Sequence, residues 1–196
     1  MIAYLQGNIT HKSPTNIYID IGGIAYDIQI SLNTYSQIES LESVKLFTHL
    51  IVREDAHHLY GFFEEEERVL FIKLISVSGI GPNTARVILS YMTPSETQSA
   101  ILTDNVVAFK KVKGVGPKTA QRIILDLKDK IAKDSLSVSN SAIYTTPSIR
   151  EEAISALVAL GFLKTQVNKA VDDVLSREPE INQVEALIKS VLRQLS

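Results

Sequence analysis

The sequence predicts a multidomain β plus α protein: a small closed β-barrel, an all-α domain, and a short terminal helical bundle. Three observations predict it. Residues 1–63 are rich in Ile, Val, Tyr, Phe and Thr and are punctuated by turn residues. At Glu64 the apolar spacing becomes helical and stays so to about residue 133. The stretch "DSLSVSNSAIYTTPSI", 134–149, is Ser/Thr-rich, has no Lys or Arg, and reads as a flexible linker before a last helical segment, 150–196.

Each element follows from local pattern. "MIAYLQGNITHK", "NIYIDIGGIAYDIQISL" and "VKLFTHLIVREDAHHLYGF" are strand-like. Ile17, Ile19 and Ile21 alternate with Tyr18 and Asp20, the period of a half-buried strand. Gly22-Gly23 marks a hairpin. Five or so short strands in 63 residues suit a barrel, whose closure also protects the edges of so small a sheet. Tyr60 and Phe62 alternate with Leu59 and Gly61, which assigns at least one of the two aromatics to the barrel core.

The helical part opens with "EEEERVLFIKLIS". Glu64 to Glu67 read as a capping, solvated first turn whose charge complements the free amides there. "TPSETQSAILTD" starts another helix, with Thr93 or Ser95 as cap and Pro94 near its first position. "PKTAQRIILDLKDKIAK" is the longest helix. The last segment reads as three helices, punctuated by Gly161 and Pro179, a minimal bundle. Its core is assigned chiefly to Leu157, Leu160, Phe162, Val167, Val171, Val174, Leu187, Ile188 and Leu192.

Composition excludes whole classes. The chain has 196 residues, 45% of them hydrophobic, which is enough for more than one core. It has no cysteine, so disulfides, thiolate metal sites and cysteine nucleophiles are absent. No apolar run is long enough to span a membrane, and the first residues do not read as a secretory signal. A reducing, cytoplasmic setting fits. The net charge of −2 hides a gradient. Residues 1–63 carry 3 Lys+Arg against 6 Asp+Glu, residues 73–133 carry 10 against 4, and residues 150–196 carry 6 against 7. Positive charge is concentrated in the middle, and binding follows the local field.

That middle segment contains an internal repeat. "VSGIGPNTARVI", Val77–Ile88, and "VKGVGPKTAQRI", Val112–Ile123, share V-x-G-[IV]-G-P-x-T-A. Each copy reads as helix, two-glycine hairpin, helix. Glycine permits positive φ and close backbone approach. Proline starts the next helix without wasting an amide. The following N–H groups then point out of the helix start, where a phosphate oxygen can accept them. Such contacts grip the DNA backbone and do not read bases. Gly79, Gly81, Gly114 and Gly116 shape the turns, and Lys118 adds charge. Arg122 is a weaker phosphate candidate. Lys110, Lys111 and Lys113 add diffuse attraction or form a solvated face.

Other readings stand beside this one. Glycine turns between helices can be only turns. A dinucleotide motif would need a third glycine and a preceding strand, and the P-loop pattern is missing. A helix-hairpin-helix glycosylase or lyase would need a catalytic Asp or Lys beside a base pocket, whereas Asp126 lies in ordinary helix text. A generic single-strand-binding barrel, or a DNA-binding protein without junction preference, is a further alternative. Glu54 and Asp55 read as a solvated turn, with a metal site as the alternative. His57 and His58 have no partner at a metal spacing.

With "MIAYLQG", "IGGIAYDI", "FTHLIVREDAHHLYGF", "SGIGPNTARVILS", "VKGVGPKTAQRIILDLKD" and "EEAISALVALGF" laid out, the chain resembles the RuvA family almost throughout. These are the Holliday-junction-recognition subunits of the bacterial branch-migration machine. The resemblance implies an OB-fold barrel (1–63), a tandem helix-hairpin-helix domain (64–133) and a small mobile C-terminal domain (150–196). It implies a homotetramer, or an octamer when two tetramers sandwich the DNA, holding a four-way junction open and square-planar. It implies a non-catalytic subunit with no cofactor. ATP hydrolysis belongs to a hexameric AAA+ partner, RuvB, and the RuvC resolvase joins the larger complex in recombination, DNA repair and the SOS response.

Carried over residue by residue, the resemblance makes Glu54 and Asp55 an acidic pin that repels phosphates at the crossover. It makes Gly79, Gly81, Gly114, Gly116 and Lys118 phosphate-binding positions. Asn83 stands where lysine is common, so that contact loses its formal charge. Arg86, one turn later, either compensates or is a solvated arginine. In "ALVALGF" it points to Leu157, Leu160, Gly161 and Phe162 as motor-docking candidates.

Overall fold

The alternation in the N-terminal segment becomes five strands: β1 (Tyr4–Lys12), β2 (Asn16–Ile21), β3 (Ile24–Ile30), β4 (Ser43–Val52) and β5 (His57–Phe62). They close into a barrel in the order β1-β2-β3-β5-β4, with β3 and β5 parallel and the other pairs antiparallel. The computed structural model describes residues 1–139, 149–178 and 180–195. These divide into two units, Met1–Ser135 and Leu136–Ser196.

The barrel core is aliphatic, built on Ile17, Ile19, Ile28, Ile30, Leu46 and Leu59. Gly22 and Gly23 both take positive φ at the β2–β3 hairpin, as the sequence pattern requires. Gly61 has a different role. A Cβ there would lie 2.5 Å from Ile28 Cγ2, so a side chain would collide with the barrel interior.

One element was missed in the sequence. Helix α1 (Leu32–Ile38) connects β3 to β4. Its start is capped by Ser31, whose Oγ accepts the Thr34 amide at 3.0 Å. Its end is held by Lys12, whose ammonium donates to the carbonyls of Ile38, Glu39 and Leu41 at 2.7–2.9 Å. The short segment lies among strand-like text, and its polar residues dilute the helical period.

Helices α2 (Glu65–Ile75), α3 (Pro82–Tyr91), α4 (Pro94–Leu102), α5 (Val106–Lys110) and α6 (Pro117–Ser139) follow. Thr93, not Ser95, caps α4. A capping box closes it: the Glu96 amide donates to Thr93 Oγ1 at 3.2 Å, and the Thr93 amide donates to Glu96 Oε2 at 2.8 Å.

Two expectations are corrected at the boundary between barrel and helices. Tyr60 and Phe62 are buried, but in the helical core and not in the barrel. Their rings lie 5.0 and 4.9 Å from that of Phe71 on α2. The alternation was right and the face was wrong: Leu59 and Gly61 face the barrel, and the aromatics cover the opposite side, against α2. Glu67 is likewise not part of a solvated turn. It is fully buried and accepts hydrogen bonds from Ser31 Oγ and, at 2.7 Å, from Thr34 Oγ1. The start of α1 in the barrel therefore receives a carboxylate from α2. Burial pushes the Glu67 carboxyl above its ordinary pKa, and the hydroxyl donors oppose that shift.

The expected linker also starts too early. Helix α6 runs through Ser139, because "KDKIAKDSLSVS" contains no Gly or Pro to stop it. Residues 140–148 of the expected linker lie outside the described residues, as does Pro179.

The second unit contains α7 (Ile149–Ala159), α8 (Lys164–Arg177) and α9 (Val184–Leu195). They pack around Leu157, Val167, Val171, Val174, Leu187 and Val191. Arg150 clamps Asp172 with two bonds, Nε to Oδ1 at 2.8 Å and Nη2 to Oδ2 at 3.0 Å. This fork raises the Arg150 pKa and lowers that of Asp172.

Candidate nucleic-acid interface

The two glycine hairpins have the same backbone. In the first, the Val77 amide donates to Leu74, Ile80 to Val77 and Ala85 to Gly81, at 3.0–3.1 Å. In the second, Val112 donates to Phe109, Val115 to Val112 and Ala120 to Gly116, at 2.9–3.1 Å. Gly79 and Gly114 sit at φ 91° and 90°, a region that disfavours a side chain. Gly81 caps α3 with extended geometry, φ −86° and ψ 166°. Val77, Ile80, Val112 and Val115 are buried and anchor the turns, whereas all four glycines are exposed.

The amides left over form the site. Ala85 and Ala120 are the first amides of α3 and α6 to reach backward to a carbonyl. Among the described residues, the amides of Asn83, Thr84, Lys118 and Thr119 have no such acceptor, and they lie at helix starts. Space is open in front of them. A Cβ built on Gly79, Gly81 or Gly116 meets nothing within 4 Å. A Cβ on Gly114 would lie 4.0 Å from Thr84 Oγ1, so the second hairpin sits beside the first turn of α3. An anion can therefore approach each helix start without displacing protein.

The charged candidates differ in exposure and in partners. Lys118 and Lys113 are exposed at the second hairpin. Arg122 is exposed but pairs with Asp126, Nε to Oδ2 at 3.6 Å. Arg86 is part-buried, and its Nη1 donates to the Thr15 carbonyl at 3.0 Å, tying α3 to the β1–β2 turn. One of its five N–H donors is therefore committed to the barrel. Asn83 is exposed, and the Tyr60 hydroxyl donates to its Oδ1 at 3.5 Å. Sequence reading did not pick out Tyr60 as part of this site. Its place in the period-two pattern of "HHLYGF" carried the signal, but the direction of its hydroxyl did not.

Glu54 and Asp55 occupy the tip between β4 and β5, exposed, in a turn closed by the Arg53 amide donating to Ala56 at 2.9 Å. They lie on the same unit as the hairpins. Among the described residues no group of three or more His, Asp or Glu side chains is placed to hold a metal, and His58 faces Gln29 at 3.3 Å. No described helix is long and apolar enough to cross a membrane.

In the second unit, Leu157 is fully buried, which removes it from the docking candidates. Leu160 is 63% exposed and is corrected from core to surface. Gly161, at φ 98°, ends α7 in a Schellman turn: Phe162 donates to Leu157 at 3.2 Å and Gly161 to Val158 at 3.0 Å. Phe162 is half-buried against the bundle core. Leu163, three residues beyond Leu160, is 65% exposed and was not singled out from the sequence.

Comparison with known proteins agrees along the chain. Family models described as "RuvA N terminal domain", "SAM-like Helix-hairpin-helix tandem" and "RuvA, C-terminal domain" match residues 1–61, 71–129 and 148–196. A "Holliday junction branch migration complex subunit RuvA" from Cytophaga hutchinsonii is 46% identical over 98% of this chain and 99% of its own length. Proteins of the same description from Christiangramia forsetii and Bacteroides fragilis are 47% and 48% identical over the full length of both chains. With the barrel, the paired hairpins and the terminal bundle each matched in order, the chain belongs to the RuvA family.

Proposed function

We propose that this chain binds four-way DNA junctions by their phosphates and holds them open and square-planar as a non-catalytic subunit of a branch-migration machine. The observation that carries this reading is the pair of hairpins with identical backbones. Each presents exposed glycines and free helix-start amides in the segment where positive charge is concentrated. Phosphates of duplex arms dock at the two hairpins, with Lys118 adding charge at the second. Glu54 and Asp55, brought together in a homotetramer, repel phosphates at the crossover and separate the strands. The terminal bundle recruits an ATP-driven RuvB-type motor through the exposed turn at Leu160, Gly161 and Phe162. A RuvC-type resolvase joins the same complex, in the cytoplasm.

The test is a titration of four-way, linear duplex and single-stranded DNA at several salt concentrations, with the solution mass of the complex. The reading requires tighter binding to the four-way form, a steep salt dependence and a mass of four or eight subunits. Equal affinity for all three DNAs defeats the junction reading. Preference for single strands would favour a stacking barrel instead.

A further inference from the structure

The internal repeat aligns Asn83 with Lys118, because Pro82 and Thr84 match Pro117 and Thr119. A lysine at this place needs no orientation, since every face of its ammonium donates. A carboxamide does, since one end donates and the other accepts. Turned the wrong way, Asn83 would point a carbonyl oxygen at an arriving phosphate.

We propose that Tyr60 is a positioning residue for DNA binding: its hydroxyl holds Asn83 Oδ1 inward, so that the Asn83 NH2 group faces the phosphate at the first hairpin. The inference rests on the hairpin reading above and extends it to a residue outside the repeat. Three observations support it. Tyr60 is 3% exposed, and its ring is fixed against Phe71 at 5.0 Å, so its hydroxyl has a set direction. That hydroxyl meets Asn83 Oδ1 at 3.5 Å. The charges that act on the Tyr60 hydroxyl, beside which Asn83 Oδ1 lies, are the cations Arg86 and Arg53. A positive field favours a carbonyl oxygen turned toward it and disfavours an NH2 group there. Burial also keeps the phenol above its ordinary pKa despite those cations, so it remains an O–H donor across the working range.

The contact is long in the free protein. A phosphate on the Asn83 NH2 group would polarise the amide and shorten it, as linked hydrogen bonds strengthen one another. The first hairpin would thus borrow from the barrel strand β5 what the second obtains from Lys118.

The test is a double-mutant cycle on the full chain, with four-way junction DNA at fixed moderate salt. Tyr60→Phe keeps the ring and removes the hydroxyl. Tyr60→Phe and Asn83→Ala are each expected to weaken binding by about 2- to 10-fold, the effect of one hydrogen bond. The double variant is expected to match Asn83→Ala within about 2-fold, because Tyr60 acts only through Asn83. Wild-type affinity in Tyr60→Phe, or losses that multiply in the double variant, overturns the proposal. Lys118→Ala separates the two levels of the argument. If it weakens binding while Tyr60→Phe does not, the hairpin reading stands and the positioning role falls. If none of the variants weakens binding, both fall. Should Tyr60→Phe lose its fold, Asn83→Asp serves: it keeps an oxygen toward Tyr60 but has no NH2 group. Binding at wild-type strength by Asn83→Asp overturns the proposal.

Discussion

Gly116→Asp separates folding from binding at the second hairpin. Gly116 accepts the Ala120 amide at 2.9 Å and so occupies the N-cap of α6. It is absent from the positive-φ glycines, and a Cβ there meets nothing within 4 Å. Aspartate is itself a favoured N-cap, and it differs from glycine there by only a few tenths of a kcal/mol. The variant is therefore expected to fold with near wild-type stability. Binding is a different matter. A carboxylate about 5 Å from a docked phosphate costs about 3 kcal/mol at an effective dielectric of about 20. It would also accept the Lys118 and Thr119 amides that the phosphate needs, each such charge-assisted bond being worth about 1.5–3 kcal/mol. Salt screening offsets part of this. A net loss of about 3 kcal/mol is about 100-fold in affinity. The assay is fluorescence anisotropy on labelled four-way DNA, paired with urea denaturation. Undiminished binding by the folded variant refutes the phosphate pocket. A large loss of stability refutes the claim that the hairpin is open.

Further outcomes follow from other sites. Gly79→Ala places a Cβ at φ 91° and is expected to destabilise by about 1–2 kcal/mol, read as a lower urea midpoint. Glu67 has a raised carboxyl pKa from burial, so the folded state keeps its proton to higher pH than the unfolded state does. Its contribution is full below the ordinary carboxylate range and is lost as pH rises through the raised value. Glu67→Gln should remove the loss of stability that the Glu67 carboxyl causes as pH rises above the ordinary carboxylate range, and an unchanged pH profile would count against it. Leu160→Asp changes a 63%-exposed side chain and should leave stability within about 0.5 kcal/mol. The same variant should lose motor-driven branch migration, and intact migration would remove this turn from the docking surface. Deleting residues 150–196 should spare junction binding, because the hairpins lie wholly in the other unit. A gel shift on four-way DNA checks this, and loss of binding contradicts the division of labour.

Much of this was legible in the sequence, for physical reasons. The hairpins are local: two glycines, a proline and a buried pair of apolar anchors specify the turn, whatever packs elsewhere. Their duplication made them visible. The strand period and the Gly22-Gly23 turn were legible for the same reason. What was not legible depended on which neighbour covers a face. Tyr60 and Phe62 alternate as barrel residues would, and only the position of Phe71 on α2 shows that they belong to the helical core. Glu67 sits in an acidic run that looks solvated, and only the hydroxyls of Ser31 and Thr34 explain its burial. Leu157 and Leu160 are equally apolar in the text, yet the turn at Gly161 leaves one buried and the other exposed.

These unforeseen contacts share a location, and that bears on how the hairpins work. Glu67 inserts from α2 into the start of α1, Arg86 reaches from α3 to Thr15, the Leu32 amide donates to Ser90 Oγ at 3.0 Å, and Tyr60 meets Asn83. Each joins the barrel to the helical half within the Met1–Ser135 unit. The barrel therefore acts as the mount that sets the angle of α3, and so the direction of its free amides. A phosphate clamp gains from such rigidity, because amides held in place lose no further freedom when the anion docks. On this argument, loosening the mount by Arg86→Met should weaken junction binding even without a direct phosphate contact. The same change should leave the second hairpin's salt dependence in place, since Lys118 and the start of α6 do not share those ties. A salt slope lowered by about one would mean that Arg86 meets a phosphate itself.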